Sequence, residues 1–119
     1  EEFLVRWRQD LVKRTMNALK AHETNTGQPY WAALQLRLSQ PKTPSPELAE
    51  RLGRRLGRPM SDGSFRQTLH RARDKFTQLL VDEVRVSLRN PSRAEVEEEL
   101  GDLRLLEFCK PSLDRVKFQ

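Results

Sequence analysis

The feature that most constrains the fold is a pair of apolar periods separated by a break. Leu48, Leu52 and Leu56 recur at every fourth position, which places them on one face of a helix. The Arg58-Pro59 dipeptide then disfavours continued helix. The second period has apolar residues at spacings of four, three, four and four: Phe65, Leu69, Ala72, Phe76 and Leu80. We therefore expect two amphipathic helices joined by a short turn.

Local signals indicate where the two helices begin. Ser45 is expected to be the N-cap of the first helix, with Pro46 at its first helical position because proline has a preset φ and no N–H. The Ser-Asp-Gly-Ser sequence offers capping groups, so the second helix is expected to begin near Asp62. Its apolar pattern continues as far as Leu88.

The rest of the chain also predicts helices. Helical spacing extends over about residues 2–23, Tyr30–Leu38, and Arg93 to about Phe108. Ser92 and Glu95 have the spacing of a capping box at the start of the last segment. No segment shows the sustained alternation of a strand. The expected fold is all-α with about five helices, including a helix-turn-helix without a wing.

Charge is unevenly distributed along the 119 residues, whose net charge is +5. From Arg51 to Lys75 there are eight basic and two acidic residues, a net charge of +6. From Pro91 to Phe108 there are six acidic and two basic residues, a net charge of −4. A basic segment within a two-helix motif is typical of DNA-binding proteins, and here an acidic extension follows it.

Other classes of protein are disfavoured. Cys109 is the only cysteine, and two histidines do not form a metal-ligand pattern with it, so we expect no disulfide, no metal and no cofactor. No paired-carboxylate or phosphate-binding glycine motif predicts an enzyme. No apolar run is long enough to cross a bilayer, no signal peptide is recognisable, and a cytoplasmic location is expected. Because residue 1 is Glu, we expect the chain to be a piece of a longer protein.

A helical wheel separates the second helix into a core stripe and an outward face. At about 100° per residue, the positions opposite the stripe are Ser64, Gln67, His70, Arg71 and Asp74. Arg66 and Arg73 flank this face on one side, and Thr68 and Lys75 on the other. Gln can pair with adenine and Arg with guanine in the major groove, while basic and hydroxyl groups can bind phosphates. The same residues could also form an ordinary solvated face.

These segments resemble region 4 of bacterial sigma factors of the extracytoplasmic-function (ECF) group. The likeness lies in LAERLG followed by SDGSFRQTLHRARDKF, and is most recognisable from Leu69 to Lys75. The segment YWAALQLR resembles the preceding helix of region 4. The chain departs from the family by an insertion at Arg54–Pro59, by an acidic extension, and by having no counterpart of region 2.

The resemblance implies recognition of the promoter −35 element as double-stranded DNA, while the protein is docked on the β-flap of core RNA polymerase. An anti-sigma factor is a further candidate partner. The implied base-contacting residues are Ser64, Gln67, His70 and Arg71, and the implied phosphate-contacting residues are Arg58, Arg66, Arg73 and Lys75. The chain then divides into a linker helix (1–27), a region 4-like helix-turn-helix domain (28–89) and an acidic helical extension (90–119).

Two alternatives remain open at the level of sequence. The chain could be another helix-turn-helix regulator, in which case a dimer would favour half-sites one helical turn apart. It could also be a helical protein-interaction module whose arginines are only surface charge. Steep salt dependence of DNA binding would argue against the second alternative.

Overall fold

A computed structural model describes residues 2–118, and all the regular structure in this range is helical. The all-α prediction is therefore confirmed, with six helices where about five were expected. They are α1 (Glu2–Thr26), α2 (Tyr30–Ser39), α3 (Ser45–Leu56), α4 (Asp62–Leu88), α5 (Arg93–Asp102) and α6 (Leu106–Leu113). The two predicted amphipathic helices correspond to α3 and α4.

The helices belong to two compact units. One unit consists of residues 20–73, and the other combines residues 1–19 with residues 74–119. The divisions fall within α1 and within α4, whereas the sequence divides the chain in the connecting segments near residues 27 and 89. The division predicted from the sequence concerns the function of each segment, and it stays a prediction.

In the unit formed by residues 20–73, the core contains the apolar stripes predicted from the sequence. Leu48, Leu52 and Phe65 have no exposed surface, and Leu69 is also buried. Burial of each such side chain contributes about 1.5–3 kcal/mol, so these stripes hold α3 and α4 in place. The loop before α3 is held by Arg37, whose guanidinium donates to the backbone carbonyls of residues 40 and 43 at 2.9 and 2.6 Å.

The other unit has a core built from four helical segments. Its fully buried side chains include Leu11 of α1, Leu80 and Val84 of α4, Leu100 of α5 and, with 1% exposure, Leu113 of α6. The rings of Phe76 and Phe108 meet edge to face with 5.5 Å between centroids. The acidic extension is therefore packed on the second half of α4 and is an integral part of this unit.

The prediction of one continuous last helix was wrong. Helix α5 ends at Asp102 because Arg104 adopts a left-handed conformation with φ of 61°. The amide of Leu105 then donates to the carbonyl of Leu100 at 2.8 Å, which closes the helix end and redirects the chain into α6. The predicted capping box between Ser92 and Glu95 is present.

The predicted N-cap of α3 was also wrong. Pro44 occupies the cap position with extended backbone, Ser45 is the first helical residue, and its side chain makes no capping hydrogen bond. The Ser45 hydroxyl instead donates to the Asp62 carboxylate at 2.5 Å. A contact with a residue seventeen positions away thus replaces the local cap that the sequence suggested.

Candidate nucleic-acid interface

The turn between α3 and α4 is fixed by backbone hydrogen bonds. Gly57 adopts a left-handed conformation, with φ of 71° and ψ of 26°. The amide of Arg58 donates to the carbonyl of Gly53 at 3.0 Å, and the amide of Gly57 to that of Arg54 at 3.3 Å. This is the Schellman arrangement that ends many helices. The Arg54–Pro59 segment therefore forms the last turn of α3 as well as part of the loop.

Close packing of the turn against α3 explains why a glycine occupies position 53. A Cβ atom there would lie 2.7 Å from the carbonyl oxygen of Arg58 and 3.1 Å from the backbone nitrogen of Met60. Both obstacles are backbone atoms, so they cannot be avoided by a change of rotamer. The absence of a side chain at Gly53 lets the turn approach α3, and this approach fixes where α4 begins.

Helix α4 begins with a Ser61 cap. The hydroxyl of Ser61 accepts from the backbone amide of Ser64 at 3.0 Å, as expected of an N-cap residue. In the next position, Asp62 places a carboxylate at the positive end of the helix dipole. Arg66 lies one turn later and pairs with Asp62 at 2.6 Å. One of the predicted phosphate-binding arginines is thus held by an acidic neighbour at the start of α4.

Exposure along α4 follows the helical wheel, except that three positions on or beside the outward face, Thr68, Asp74 and Lys75, are half-buried. All five residues of the core stripe are buried: Phe65, Leu69, Ala72, Phe76 and Leu80. Seven of the eight candidate DNA-contacting residues are exposed: Arg58, Ser64, Arg66, Gln67, His70, Arg71 and Arg73. Lys75 is half-buried, which leaves less of its side chain accessible than the wheel implies.

The arginines of this region fall into two groups. Arg51 and Arg54 form i,i+4 ion pairs with Glu47 and Glu50 on α3. In contrast, Arg58 of the turn and Arg71 of α4 have no carboxylate within 4.0 Å among the described residues. Exposed ion pairs contribute little to stability, but they reduce the charge available to a ligand. Arg58 and Arg71 therefore carry positive charge that is not paired with a carboxylate among the described residues.

Sequence reasoning missed a basic residue near the outward face of α4. Arg115 lies just after α6 and donates to both oxygens of Asp74, from Nε and from a terminal nitrogen, each at 2.8 Å. Forked arginine–carboxylate pairs of this kind are strong and directional. The two residues are 41 positions apart, and no local sequence pattern indicates that they meet.

Other kinds of site find little support in the part of the chain that is described. Within residues 2–118 no group of three or more His, Cys, Asp or Glu side chains could hold a metal ion. Cys109 is fully buried, and burial raises the pKa of its thiol to about 11, which disfavours the reactive thiolate. No helix in this range has the length and apolar character needed to span a bilayer.

Comparison with known proteins identifies no relative. Neither a protein-family model, nor a curated protein, nor a solved structure matches the chain. The functional interpretation therefore depends on the residues and contacts described above, together with the sequence resemblance.

Proposed function

We propose that this chain binds double-stranded DNA through α3, the turn and the first half of α4, with α4 as the recognition helix. In the more specific form of the proposal, it is region 4 of an ECF-type sigma factor. It would then recognise the promoter −35 element on core RNA polymerase, in the cytoplasm of a bacterium. The observation that carries the proposal is the exposed face of α4, where Gln67 and Arg71 lie opposite a fully formed core stripe.

The dimensions of α4 suit the major groove. The part from Asp62 to Arg73 is long enough for about three helical turns, or roughly 18 Å. A helix fits into the major groove of B-DNA, which is about 12 Å wide, and residues near its N-terminus reach the base edges. The first ten residues of α4 include the four proposed base-contacting residues, Ser64, Gln67, His70 and Arg71. All four are exposed, which agrees with base contact.

The turn supplies the second part of the proposed surface. Arg58 precedes α4 and is exposed, so it can reach a phosphate beside the groove while α4 lies within it. Arg73 and Lys75 are suited to phosphates further along the helix. Four such contacts, counting Arg66, predict that the logarithm of the binding constant falls with the logarithm of salt concentration with a slope of about −3.6.

The test of DNA binding is selection from a random duplex library by the purified chain, followed by titration of the selected duplexes across a salt series. A short asymmetric motif bound by a monomer, with a slope near the expected value, supports the proposal. A palindromic motif bound by a dimer would instead support another type of regulator. Absence of binding both alone and in complex with core RNA polymerase would refute DNA recognition and favour a protein-interaction module.

A single substitution tests the role of α4 as the reader. Arg71→Ala is expected to lower affinity for the selected duplex by about 5- to 150-fold and to relax preference at one base pair, since a bidentate contact discriminates by about 1–3 kcal/mol. Lys13→Ala is a control with the same charge change, because Lys13 is an exposed residue of α1 outside the proposed surface. If Arg71→Ala and the wild type select the same motif with equal stringency, Arg71 does not read a base.

Binding of the chain to core RNA polymerase tests the more specific proposal. The chain is expected to co-purify with core RNA polymerase and with its isolated β-flap when these are added in equimolar amounts. Binding of the selected duplex without any association with core polymerase would retain the DNA-binding function and reject the assignment to a sigma factor.

A further inference from the structure

The loop between α2 and α3 (residues 40–44) is tied to both flanking helices. One terminal nitrogen of the Arg37 guanidinium, on α2, lies 2.9 Å from the carbonyl oxygen of Gln40, 3.0 Å from that of Pro41 and 2.6 Å from that of Thr43. The side-chain oxygen of Gln40 also accepts a hydrogen bond from Arg51 of α3. A side chain carried by this loop therefore extends from a backbone that is held in place.

The same loop lies beside the start of α4. The hydroxyl of Ser45, the first residue of α3, donates to the Asp62 carboxylate at 2.5 Å and accepts from Nε of Arg66 at 3.3 Å. Lys42 precedes Ser45 by three residues, so their Cα atoms are at most about 11 Å apart. Lys42 therefore lies near Arg66, a proposed phosphate-contacting residue, at the end of α4 that is expected to enter the groove.

The positive charge of Lys42 is available to a ligand. Its side chain is exposed, and no carboxylate lies within 4.0 Å of its ammonium group among residues 2–118. Arg66, in contrast, is paired with Asp62 at 2.6 Å. An exposed ammonium group beside a DNA-binding surface attracts phosphates, and its flexible four-carbon stem lets it reach the backbone of the duplex.

We propose that Lys42 is a further phosphate-contacting residue of the DNA-binding surface, and that Arg37 is its positioning residue. The inference rests on the proposed function, and both residues belong to the unit formed by residues 20–73. Lys42 makes an ionic contact with the sugar–phosphate backbone and reads no base. Arg37 touches no DNA and acts by holding the loop from which Lys42 extends.

Lys42→Ala tests the contact in the full chain, with affinity for the selected duplex measured across a salt series. A fifth phosphate contact steepens the expected salt slope from about −3.6 to about −4.5, and Lys42→Ala should return it to about −3.6. Affinity at low salt should fall about 3- to 10-fold, equally for selected and unrelated duplexes, because a phosphate contact carries no sequence information.

Two further variants are the controls for this experiment. Lys42→Arg keeps the charge and should bind within about twofold of the wild type, since arginine also binds phosphate. Lys13→Ala removes an exposed lysine of α1 outside the proposed surface, so it changes the net charge equally and should leave the salt slope unchanged.

Arg37→Met tests the positioning role, because methionine has an unbranched side chain but no N–H to donate. It is expected to lower affinity about 2- to 5-fold and to make the salt slope less negative, since Lys42 then extends from a loop that is no longer held. In a chain that already carries Lys42→Ala, the same change should lower affinity less than about twofold. Circular dichroism melting of every variant verifies that each one is folded at the temperature of the titration.

The outcomes separate this inference from the function on which it rests. A shallower slope in Lys42→Ala, with an Arg37→Met effect confined to chains that keep Lys42, supports the inference. A slope in Lys42→Ala equal to that of the wild type overturns the contact. The positioning role is overturned if Arg37→Met binds as the wild type does, and also if its loss persists in the Lys42→Ala background, because Arg37 then acts through the fold or by its own charge. A wild-type chain that binds no duplex, alone or with core polymerase, overturns the proposed function before any variant is compared.

Discussion

Replacing Gly53 by alanine is expected to destabilise the unit formed by residues 20–73. The added Cβ would lie 2.7 Å from the carbonyl oxygen of Arg58, whereas carbon and oxygen atoms in ordinary close contact are about 3.3–3.6 Å apart. The obstacle is a backbone atom in a turn that is tied back to Gly53 by a 3.0 Å hydrogen bond. Relief therefore requires the turn to move away from α3.

The magnitude follows from two opposing effects. Forcing one carbon atom into a packed site costs about 1–3 kcal/mol. Alanine is preferred to glycine within a helix by about 1 kcal/mol, which offsets part of this cost. Gly53→Ala should therefore lower the free energy of unfolding by up to about 2 kcal/mol relative to the wild type.

Gly63→Ala separates the two effects. Gly63 lies in the first turn of α4, and a Cβ there would meet no atom within 4 Å, so this variant gains helix preference without a clash. The two variants are expected to differ by about 1–3 kcal/mol in urea denaturation followed by circular dichroism. If Gly53→Ala proves as stable as Gly63→Ala, the close approach of the turn does not constrain position 53, and the explanation given for the turn fails.

Two further predictions concern the other unit. The Cys109 thiol has a pKa raised by burial from 9.0 to about 11, so the unfolded chain loses this proton at lower pH than the folded chain. The free energy of unfolding should therefore fall by up to about 2 kcal/mol as pH rises from 9 to 11, a dependence that Cys109→Ala should lack in urea denaturation at a series of pH values. An equally steep pH dependence in that variant would contradict the assignment. Arg104 has a φ of 61°, which glycine adopts more easily, so Arg104→Gly should raise stability by about 0.5–1 kcal/mol and raise the melting temperature, whereas Arg104→Ala should not. Equal melting temperatures for these two variants would show that the left-handed conformation carries no strain.

The elements that the sequence predicts well are those determined by local periodicity. The stripe from Phe65 to Leu80 is buried as expected, and α4 begins at Asp62 and continues to Leu88. A spacing of three and four residues produces one apolar face whatever that face packs against. The outward position of Gln67 and Arg71 follows from the same geometry, and for this reason the candidate interface could be located without a structure.

The errors of the sequence-based interpretation arise where distant residues compete with local signals. Ser45 has the residue type of an N-cap, but its hydroxyl is engaged by Asp62, which the turn brings close. The segment after Arg93 has a helical pattern throughout, yet it breaks at Arg104 in a conformation that few residues other than glycine adopt. Neither outcome is visible in the spacing of apolar residues.

The sequence alone determined the extent of α4, which of its faces is apolar and where positive charge is concentrated, because each depends on neighbours within a few positions. Only the tertiary structure decided that Lys75 is half-buried, that the turn requires glycine at position 53, and that Arg115 meets Asp74. Those features depend on contacts between residues brought together by folding. Such contacts leave no periodic pattern in the chain, whereas a helix repeats its environment every 3.6 residues.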